Sequence, residues 1–392
     1  MADYQRLMAY HVPGWVQEDW VIDYELNRRG IQLDMDLVKG AIAIDGDYRS
    51  ALIEKAIRIT GLRNPNSRNQ LLAWLNENTD LELEKLTKET VAESLQVASG
   101  DAEEVLRIRK NLSKSSVTKY QAMDRAVCSD GRIRGVLQFY GANRTGRWAG
   151  RLVQVQNLPH DVPQAIATAR HLVKSKNRRG LELMYGDVAS TLSQLIRTAF
   201  IAPDDAMLCV SDFSAIEARV LSWLAGEKWR MDVFANNGDI YCASASSMFG
   251  VPVVKHGVNG HLRQKGKVAE LALGYQGGPN ALISMGALKM GLMEDELPDI
   301  VRRWRASNPR IQDFWYAVDG AAMSVMQNAQ PVGLPHGIIF SRECNLQYGY
   351  DYLTITLPSG RRLFYPQPYV GENQFGRPAI HYKTQMGANW VY

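Results

Sequence analysis

Apolar residues recur at helical spacing along much of the chain and predict a protein built mainly from helices. Residues 20–27, 37–59 and 102–123 show this spacing, and we expect the last of them to be one long basic helix. Gly30 interrupts the pattern after the first segment, and Asp34 stands where a cap of the second would be.

A smaller number of segments have the pattern of strands. Residues 131–140 alternate between apolar and polar side chains, and residues 353–366 alternate on both sides of Ser359 and Gly360, which predicts a hairpin. Residues 207–210 form a short apolar run of the kind found in buried strands. Helices and strands together predict an α+β protein.

Candidate chemistry begins directly after that apolar run, at Asp212. Ser214 and Glu217 have the spacing of a capping box at the start of a helix, so we expect Asp212 to be held between a strand and a helix. A carboxylate fixed in this way is suited to a hard metal ion. It can equally do no more than complement the helix dipole, and the residues alone leave both interpretations open.

A second candidate site lies on the segment around residue 267. Its key residues are four apart and therefore share one gently spiralling helix face: Arg263, Lys267, Leu271 and Tyr275. Two cations followed by an apolar and an aromatic side chain suit a nucleoside triphosphate lying along the helix. A solvated basic face that ends in a tyrosine is the alternative.

Composition narrows the class of protein. Hydrophobic content of 46% and charged content of 22% are those of a soluble globular protein, and 392 residues suggest two or three subdomains. No apolar run approaches the length of a membrane span, so we expect no membrane partner. Four scattered cysteines indicate neither a zinc site nor a disulfide framework, and a reducing cytoplasm fits.

The net charge of +4 is distributed unevenly along the chain. Residues 1–100 hold 11 Lys or Arg against 16 Asp or Glu, whereas residues 101–200 hold 17 against 8. A basic middle segment is suited to binding a phosphate backbone, because such binding is driven largely by counterion release. Basic helices that are only solvated are the alternative.

Three blocks of the sequence resemble family A DNA polymerases, the group of bacterial DNA polymerase I and many phage replicative enzymes. Residues 211–219, Ser-Asp-Phe-Ser-Ala-Ile-Glu-Ala-Arg, resemble motif A, and the four-residue series from Arg263 to Tyr275 resembles motif B. Residues 142–159, with Thr-Gly-Arg and Gln-Asn-Leu-Pro, resemble the block that precedes motif A. The blocks follow the family's order, and the pattern is most similar to phage polymerases.

The resemblance implies a right-hand polymerase fold of the α+β class, with a helical thumb, a partial antiparallel palm sheet and helical fingers. We expect the thumb and connecting helices in residues 1–130, and the palm with motif A in residues 131–235. The fingers with motif B would occupy residues 236–345, and an incomplete return into the palm residues 346–392. Residues 164–184 look like an insertion relative to the family block.

The resemblance also implies an activity, the transfer of a dNTP to a primer 3′-OH by two-metal catalysis in viral DNA replication. Asp212 is the implied catalytic residue and, with the carbonyl of Phe213, the implied Mg²⁺ ligand. Glu217 would exclude ribonucleotides. The implied dNTP-binding residues are Arg263, Lys267, Leu271, Tyr275, Glu217 and Phe213.

Contacts with primer–template DNA are implied for a further group of residues. Arg147 is a candidate for the primer terminus, and Gln156 and Asn157 carry the donors and acceptors that a minor-groove probe of correct pairing needs. Lys114 and Lys119 are candidates for phosphate contacts. The implied partners are therefore primer–template DNA and dNTPs.

The sequence departs from the family pattern in three ways. It contains no His-Asp-Glu, the motif C that brings the second catalytic aspartate, so we expect a truncated or split polymerase whose motif C lies on a second polypeptide. It lacks the paired acidic motifs of a proofreading exonuclease. Leu271 stands where Phe or Tyr is usual, which predicts altered discrimination against dideoxynucleotides. The alternative functions are a non-catalytic primer–template-binding subunit and an unrelated nucleotide-binding enzyme.

Overall fold

The structure is a computed structural model, which describes residues 13–114, 117–142, 145–345, 350–386 and 389–391. The chain divides into two compact units, Met1–Val210 and Ser211–Tyr392. Helices and strands occur in both units, in agreement with the predicted α+β class. The finer division into thumb, palm and fingers stays a prediction.

The described part of the first unit is mainly helical. Its α-helices are α1 (Gly14–Arg29), α2 (Met35–Thr60), α3 (Arg68–Asn78), α4 (Lys88–Ser94), α5 (Gly100–Leu112), α6 (Thr118–Ala126), α7 (Ile166–Lys174), α8 (Arg178–Tyr185) and α9 (Val188–Leu195). Short 3₁₀ helices cover Val155–Asn157 and Ile196–Ala199.

Five short strands complete the described part of the first unit. They are β1 (Ile31–Leu33), β2 (Arg132–Ile133), β3 (Leu137–Ala142), β4 (Arg147–Gly150) and β5 (Phe200–Ile201). Strand β1 lies between β2 and β5 in an antiparallel sheet, and β3 pairs with β4 in an antiparallel hairpin. The predicted strand over residues 131–140 is therefore wrong as a single element. Gly135, with φ +66°, lies between β2 and β3, which belong to different sheets.

Local signals set several helix ends as expected. Asp34 caps α2, and its Oδ1 accepts a hydrogen bond of 3.2 Å from the backbone N–H of Leu37. Gly30 ends α1 with φ +67°, a conformation that glycine adopts without steric cost. The single helix predicted over residues 102–123 is wrong. It is two helices, α5 and α6, and Ser113 and Lys114 lie outside the helix after the end of α5.

The segment predicted to be an insertion, residues 164–184, is part of the core of the first unit. Ala169, Val173 and Leu181 are fully buried in the same apolar cluster as α2. At Gly40 in α2, an added Cβ would lie 2.1 Å from the carbonyl oxygen of Val173, so only glycine permits this approach of the two backbones. This segment therefore stabilises α2.

The second unit carries the other helices and strands. Its α-helices are α10 (Ile216–Ala225), α11 (Lys228–Ala235), α12 (Ile240–Phe249), α13 (Leu262–Leu273), α14 (Pro279–Ser284), α15 (Leu297–Ser307) and α16 (Pro309–Asn328). Its strands are β6 (Val332–Leu334), β7 (Ile338–Asn345), β8 (Tyr350–Thr356), β9 (Arg362–Pro366), β10 (Tyr369–Glu372), β11 (Pro378–His381), β12 (Thr384–Met386) and β13 (Asn389–Val391). Short 3₁₀ helices cover Leu288–Met290, Glu294–Glu296 and Pro335–Gly337.

Apolar clusters organise the described part of the second unit. Strands β6 to β9 form an antiparallel sheet in sequence order, which confirms the predicted hairpin as β8 and β9. Phe340 and Leu353 of this sheet pack against α16. The helices α13 and α15 share another cluster, in which Trp304 is fully buried. Among the described helices, none is both long and apolar enough to cross a membrane.

The strand predicted over residues 207–210 is wrong. This segment is irregular, and Met207 and Val210 are 82% and 89% exposed. Among the described strands none pairs with it, and an apolar run forms a strand only where a neighbour completes its backbone hydrogen bonds.

The predicted capping box is also wrong, because the residue before α10 is Ala215, with φ +51°, and no side chain among the described residues caps the helix.

Candidate functional site

Asp212 and Phe213 lie in an exposed irregular segment that leads into α10. Phe213 is 76% exposed, so the described residues of its own unit leave most of its ring uncovered. The carboxylate of Asp212 and the carbonyl of Phe213 are hard oxygen donors, the type that Mg²⁺ prefers. These two donors fit part of a Mg²⁺ site. No group of three His, Cys, Asp or Glu suited to a metal is found within the described ranges.

A hydrogen bond joins the two candidate motifs. Glu217 stands in the first turn of α10, and Tyr275 follows the end of α13 by two residues. The phenol of Tyr275 donates a hydrogen bond to a carboxylate oxygen of Glu217. Segments 58 residues apart in the chain are thereby brought together at one exposed site.

Helix α13 confirms the predicted helix at Arg263, Lys267 and Leu271, whereas the prediction is wrong for Tyr275, which lies in a turn two residues beyond the helix end. Gly266 faces α12, where an added Cβ would lie 2.2 Å from the carbonyl oxygen of Tyr241. Val268, Ala269 and Leu273 enter the apolar cluster of this unit. This packing determines which face of α13 is available to a ligand.

Arg263 is held by an ion pair that sequence reasoning missed. Its Nε lies 2.8 Å from Oδ2 of Asp239, and its guanidinium lies over the ring of Tyr241 at 5.2 Å. Oδ1 of Asp239 accepts hydrogen bonds from the backbone N–H of Tyr241 and Cys242, and thereby caps α12. One carboxylate thus fixes both a helix end and the guanidinium.

The ion pair shifts the protonation equilibrium of both partners. Burial raises the pKa of Asp239, but the hydrogen bonds from Arg263 and from two backbone amides outweigh burial and hold the pKa below its usual range. The hydrogen bond to Asp239 raises the pKa of Arg263 further above its ordinary value. Both groups are charged at neutral pH.

The remaining residues of the series are open to a ligand. Leu271 and Tyr275 are 41% and 69% exposed, and Lys267 is half-buried. Within the described ranges, Lys267 has no carboxylate in ion-pair distance. Its ammonium group is therefore available to an anion, whereas Arg263 already has a carboxylate partner.

The first unit brings four of the predicted DNA contacts together. Arg147 begins β4, and Gln156 and Asn157 lie in the 3₁₀ helix that follows. The side-chain amide of Gln156 lies 3.4 Å from the carbonyl of Trp148, next to Arg147. The ammonium group of Lys119, on α6, donates a 3.2 Å hydrogen bond to the carbonyl of Asn157. Burial lowers the pKa of Lys119. We call these four residues the Lys119 surface.

Lys114 does not join the Lys119 surface through any contact that the structure records. Its ammonium group lies 2.6 Å from the carboxylate of Asp187, which in turn caps α9 through the backbone N–H of Ser190. Lys174 has a similar structural use, because it lies 2.6 Å from the buried carboxylate of Asp34. Part of the basic middle segment thus stabilises the fold itself.

Comparison with known proteins identifies the group to which the sequence belongs. Residues 46–327 match the sequence model of DNA polymerase family A. The DNA polymerase of Bacillus phage SP02 is 51% identical over 369 residues, which cover 94% of this chain and 56% of the relative. The thermostable DNA polymerase I of Thermus aquaticus is 27% identical over 72% of this chain and 31% of its own length.

A solved structure supports the same grouping at the level of the fold. The polymerase domain of Pol1 from M. smegmatis, in complex with DNA primer–template and dNTP, matches with a TM-score of 0.52 at 19% identity. The match covers 79% of this chain and 49% of that chain. The predicted right-hand polymerase fold is confirmed.

The chain belongs to DNA polymerase family A. It resembles a phage member most closely among the relatives described above, and it spans about half the length of that phage polymerase.

Proposed function

We propose that this chain supplies the primer–template-binding and nucleotide-binding part of a DNA polymerase that adds a dNTP to a primer 3′-OH. The observation that carries the proposal is the hydrogen bond between Glu217 and Tyr275, because it joins the two motifs that bind the nucleotide in this family. The phage relative supports a role in phage DNA replication, which takes place in the host cytoplasm.

The triphosphate of the dNTP would lie along α13. Lys267 supplies an ammonium group with no recorded carboxylate partner among the described residues, and Arg263 supplies a guanidinium whose direction is fixed by Asp239. Cations held in place before the ligand arrives lose little conformational entropy on binding. Leu271, exposed one turn beyond Lys267, would contact the sugar.

Glu217 and Tyr275 would select the sugar of the incoming nucleotide. Their hydrogen bond would hold the carboxylate against the position of a ribose 2′-OH, and a hydroxyl that entered there would have to displace this hydrogen bond. Deoxyribose has no such hydroxyl. Exclusion of ribonucleotides is the expected result.

Asp212 and the carbonyl of Phe213 would hold Mg²⁺ as an exposed carboxylate and a backbone oxygen. When bound, Mg²⁺ supplies charge stabilisation at the primer hydroxyl and the phosphates. Catalysis by two metals needs a second carboxylate, and the sequence contains no His-Asp-Glu. We propose that this carboxylate comes from polypeptide outside these 392 residues, which act with it as one polymerase.

The Lys119 surface would contact the primer–template. Gln156 and Asn157 carry amides that can pair with the acceptors common to all correct base pairs in the minor groove. Lys119 and Arg147 would neutralise phosphates. Replacing Lys119 by alanine should lower the salt-dependence slope of DNA binding by about 0.9, whereas alanine at the exposed Lys39 should leave the slope unchanged.

Primer extension tests the proposed function. The purified chain is supplied with primer–template, dNTPs and Mg²⁺, first alone and then with a polypeptide that carries the family's His-Asp-Glu segment. Asp212→Asn should abolish extension and leave DNA binding intact. Asp205→Asn, at an exposed carboxylate in the preceding turn, is the matched control and should extend primers normally.

Extension by Asp212→Asn at the wild-type rate would contradict the catalytic role of Asp212. DNA binding without extension, even after the second polypeptide is added, would favour a non-catalytic primer–template-binding subunit. The observation that favours this second function is that the 392 residues contain no His-Asp-Glu.

A further inference from the structure

A buried ion pair lies in the apolar core of the second unit. Arg230, on α11, is fully buried, and the side chain of Glu270, on α13, is 2% exposed. The guanidinium binds the carboxylate through both terminal nitrogens, with Nη1 at 2.8 Å from Oε1 and Nη2 bound to Oε2. We call Arg230 and Glu270 the buried clamp.

The buried clamp connects helices from several parts of the unit. Nε of Arg230 donates a 2.8 Å hydrogen bond to Oγ of Ser222, on α10. Oε1 of Glu270 accepts hydrogen bonds from Ser244 on α12 at 2.6 Å and from the indole N–H of Trp304 on α15 at 2.9 Å. The clamp therefore holds α10, α12 and α15 against α13.

Stability alone does not account for such a pair. Removing two charges from water costs free energy, and apolar residues of similar volume often stabilise a core as well or better. A paired guanidinium and carboxylate differ from apolar contacts in direction, because two parallel hydrogen bonds fix the angle between the groups. The clamp is thus suited to fixing the rotation of α13 about its axis.

Rotation of α13 controls where the proposed nucleotide ligands lie. At 100° per residue, Lys267 and Leu271 project about 60° and 100° from Glu270 around the helix. A rotation of 20° would move side chains at a radius of about 6 Å by about 2 Å. Glu217 lies on α10, the helix that the clamp holds through Ser222, so its distance from Tyr275 depends on the same contacts.

We propose that Arg230 and Glu270 are positioning residues that set the spacing between Glu217 and Tyr275, and with it the discrimination between deoxyribonucleotides and ribonucleotides. The inference rests on the proposed function, in which that pair selects the sugar. The clamp itself contacts no nucleotide, because both side chains are buried.

The test compares two variants with a matched control. Arg230→Met with Glu270→Gln removes both charges and keeps an acceptor for Trp304, so the core remains filled. Arg230→Lys keeps the charge but cannot bind both carboxylate oxygens and Ser222 at once. The control, Arg302→Met with Asp299→Asn, removes an exposed ion pair from α15 of the same unit.

Two measurements are made on each protein. The first is the ratio of dNTP to rNTP incorporation by the chain together with the polypeptide that carries motif C. We expect this ratio to fall at least tenfold in both clamp variants and to stay unchanged in the control. The second is amide hydrogen exchange of the chain alone, in which we expect protection to be lost in residues 216–225 and 262–273 but kept in residues 350–356.

An unchanged incorporation ratio in folded clamp variants would overturn the inference, as would uniform loss of protection across the unit. If the double variant does not fold, the same two measurements on Arg230→Lys test the inference. A wild-type chain that supports no incorporation would overturn the proposed function instead. The hydrogen-exchange measurement would then test the positioning role of the buried clamp by itself. Loss of protection in both α10 and α13 would support this role, and unchanged exchange would overturn it.

Discussion

Gly266 offers a direct test of how closely α13 is packed against α12. An alanine methyl at this position would lie 2.2 Å from the carbonyl oxygen of Tyr241 and 3.1 Å from the Cβ of Ala245. Ordinary contact would require the two backbones to separate by about 1 Å. Because both helices are fixed by other core contacts, we expect Gly266→Ala to destabilise the second unit.

The magnitude follows from two opposing effects. Alanine is favoured over glycine within a helix by about 1 kcal/mol. Overpacking a core that can yield only by backbone movement costs about 3 kcal/mol. The expected net loss is therefore ~2 kcal/mol in the free energy of unfolding. The same shift would displace Arg263 and Lys267, so nucleotide affinity should fall as well.

Gly320 provides the matched control, since it lies within α16 and an added Cβ there would meet no atom within 4 Å. Gly320→Ala should gain the helical preference of about 1 kcal/mol without a clash. The two variants should thus differ by ~3 kcal/mol, or by about 6–12 °C in Tm. Urea and thermal unfolding measure both quantities. A Gly266→Ala variant as stable as Gly320→Ala would refute the close packing of α12 and α13.

Three further predictions concern single side chains. Asp34→Ala should lower the free energy of unfolding by ~2–3 kcal/mol, because it removes the cap of α2 and the carboxylate that binds Arg170 and Lys174. Asp34→Asn keeps the cap and should lower it by about half as much, as measured by urea unfolding. Equal losses in the two variants would contradict separate contributions from the cap and the ion pairs. Leu271→Phe should change the ratio of dNTP to ddNTP incorporation about fivefold, because packing of a flat ring against the sugar contributes ~1 kcal/mol. An unchanged ratio would contradict the proposed contact between Leu271 and the sugar. The lowered pKa of Asp239 means that its contribution to stability is present above the ordinary pKa of about 3.9 and is lost as the pH falls towards the lower folded value. Unfolding midpoints measured between pH 3 and 6 should therefore fall less steeply with decreasing pH for Asp239→Asn than for the wild type. Identical slopes in the two proteins would contradict the lowered pKa.

Features that depend on a residue and its near neighbours in the chain were predicted correctly. Asp34 caps α2 and Gly30 ends α1, because capping and left-handed backbone depend on the residue itself and its near neighbours. Helix α13 and the hairpin of β8 and β9 follow from periodicity alone. The resemblance of the motifs to family A was likewise a property of the sequence, and the comparisons confirm it.

Features that need a distant partner were not predicted. The apolar run at residues 207–210 has the composition of a strand, but composition does not supply the neighbouring strand whose hydrogen bonds would complete it. The ion pair of Asp239 with Arg263 joins residues 24 apart in the chain, and no local pattern indicated it. The phosphate contact of Lys114 stays a prediction, but its ion pair with a carboxylate 73 residues away was not predicted.

The burial of Glu270 in an ion pair could have been predicted from the sequence but was not. It stands between Ala269 and Ala272 on the apolar side of α13, and a charge at such a position predicts a buried partner. The sequence determined that α13 is a helix with cations on one face and an acid among its apolar residues. Only the tertiary structure decided that Arg230, 40 residues away, is the partner, because a buried charge is satisfied by whichever group the packing of helices brings within hydrogen-bond distance.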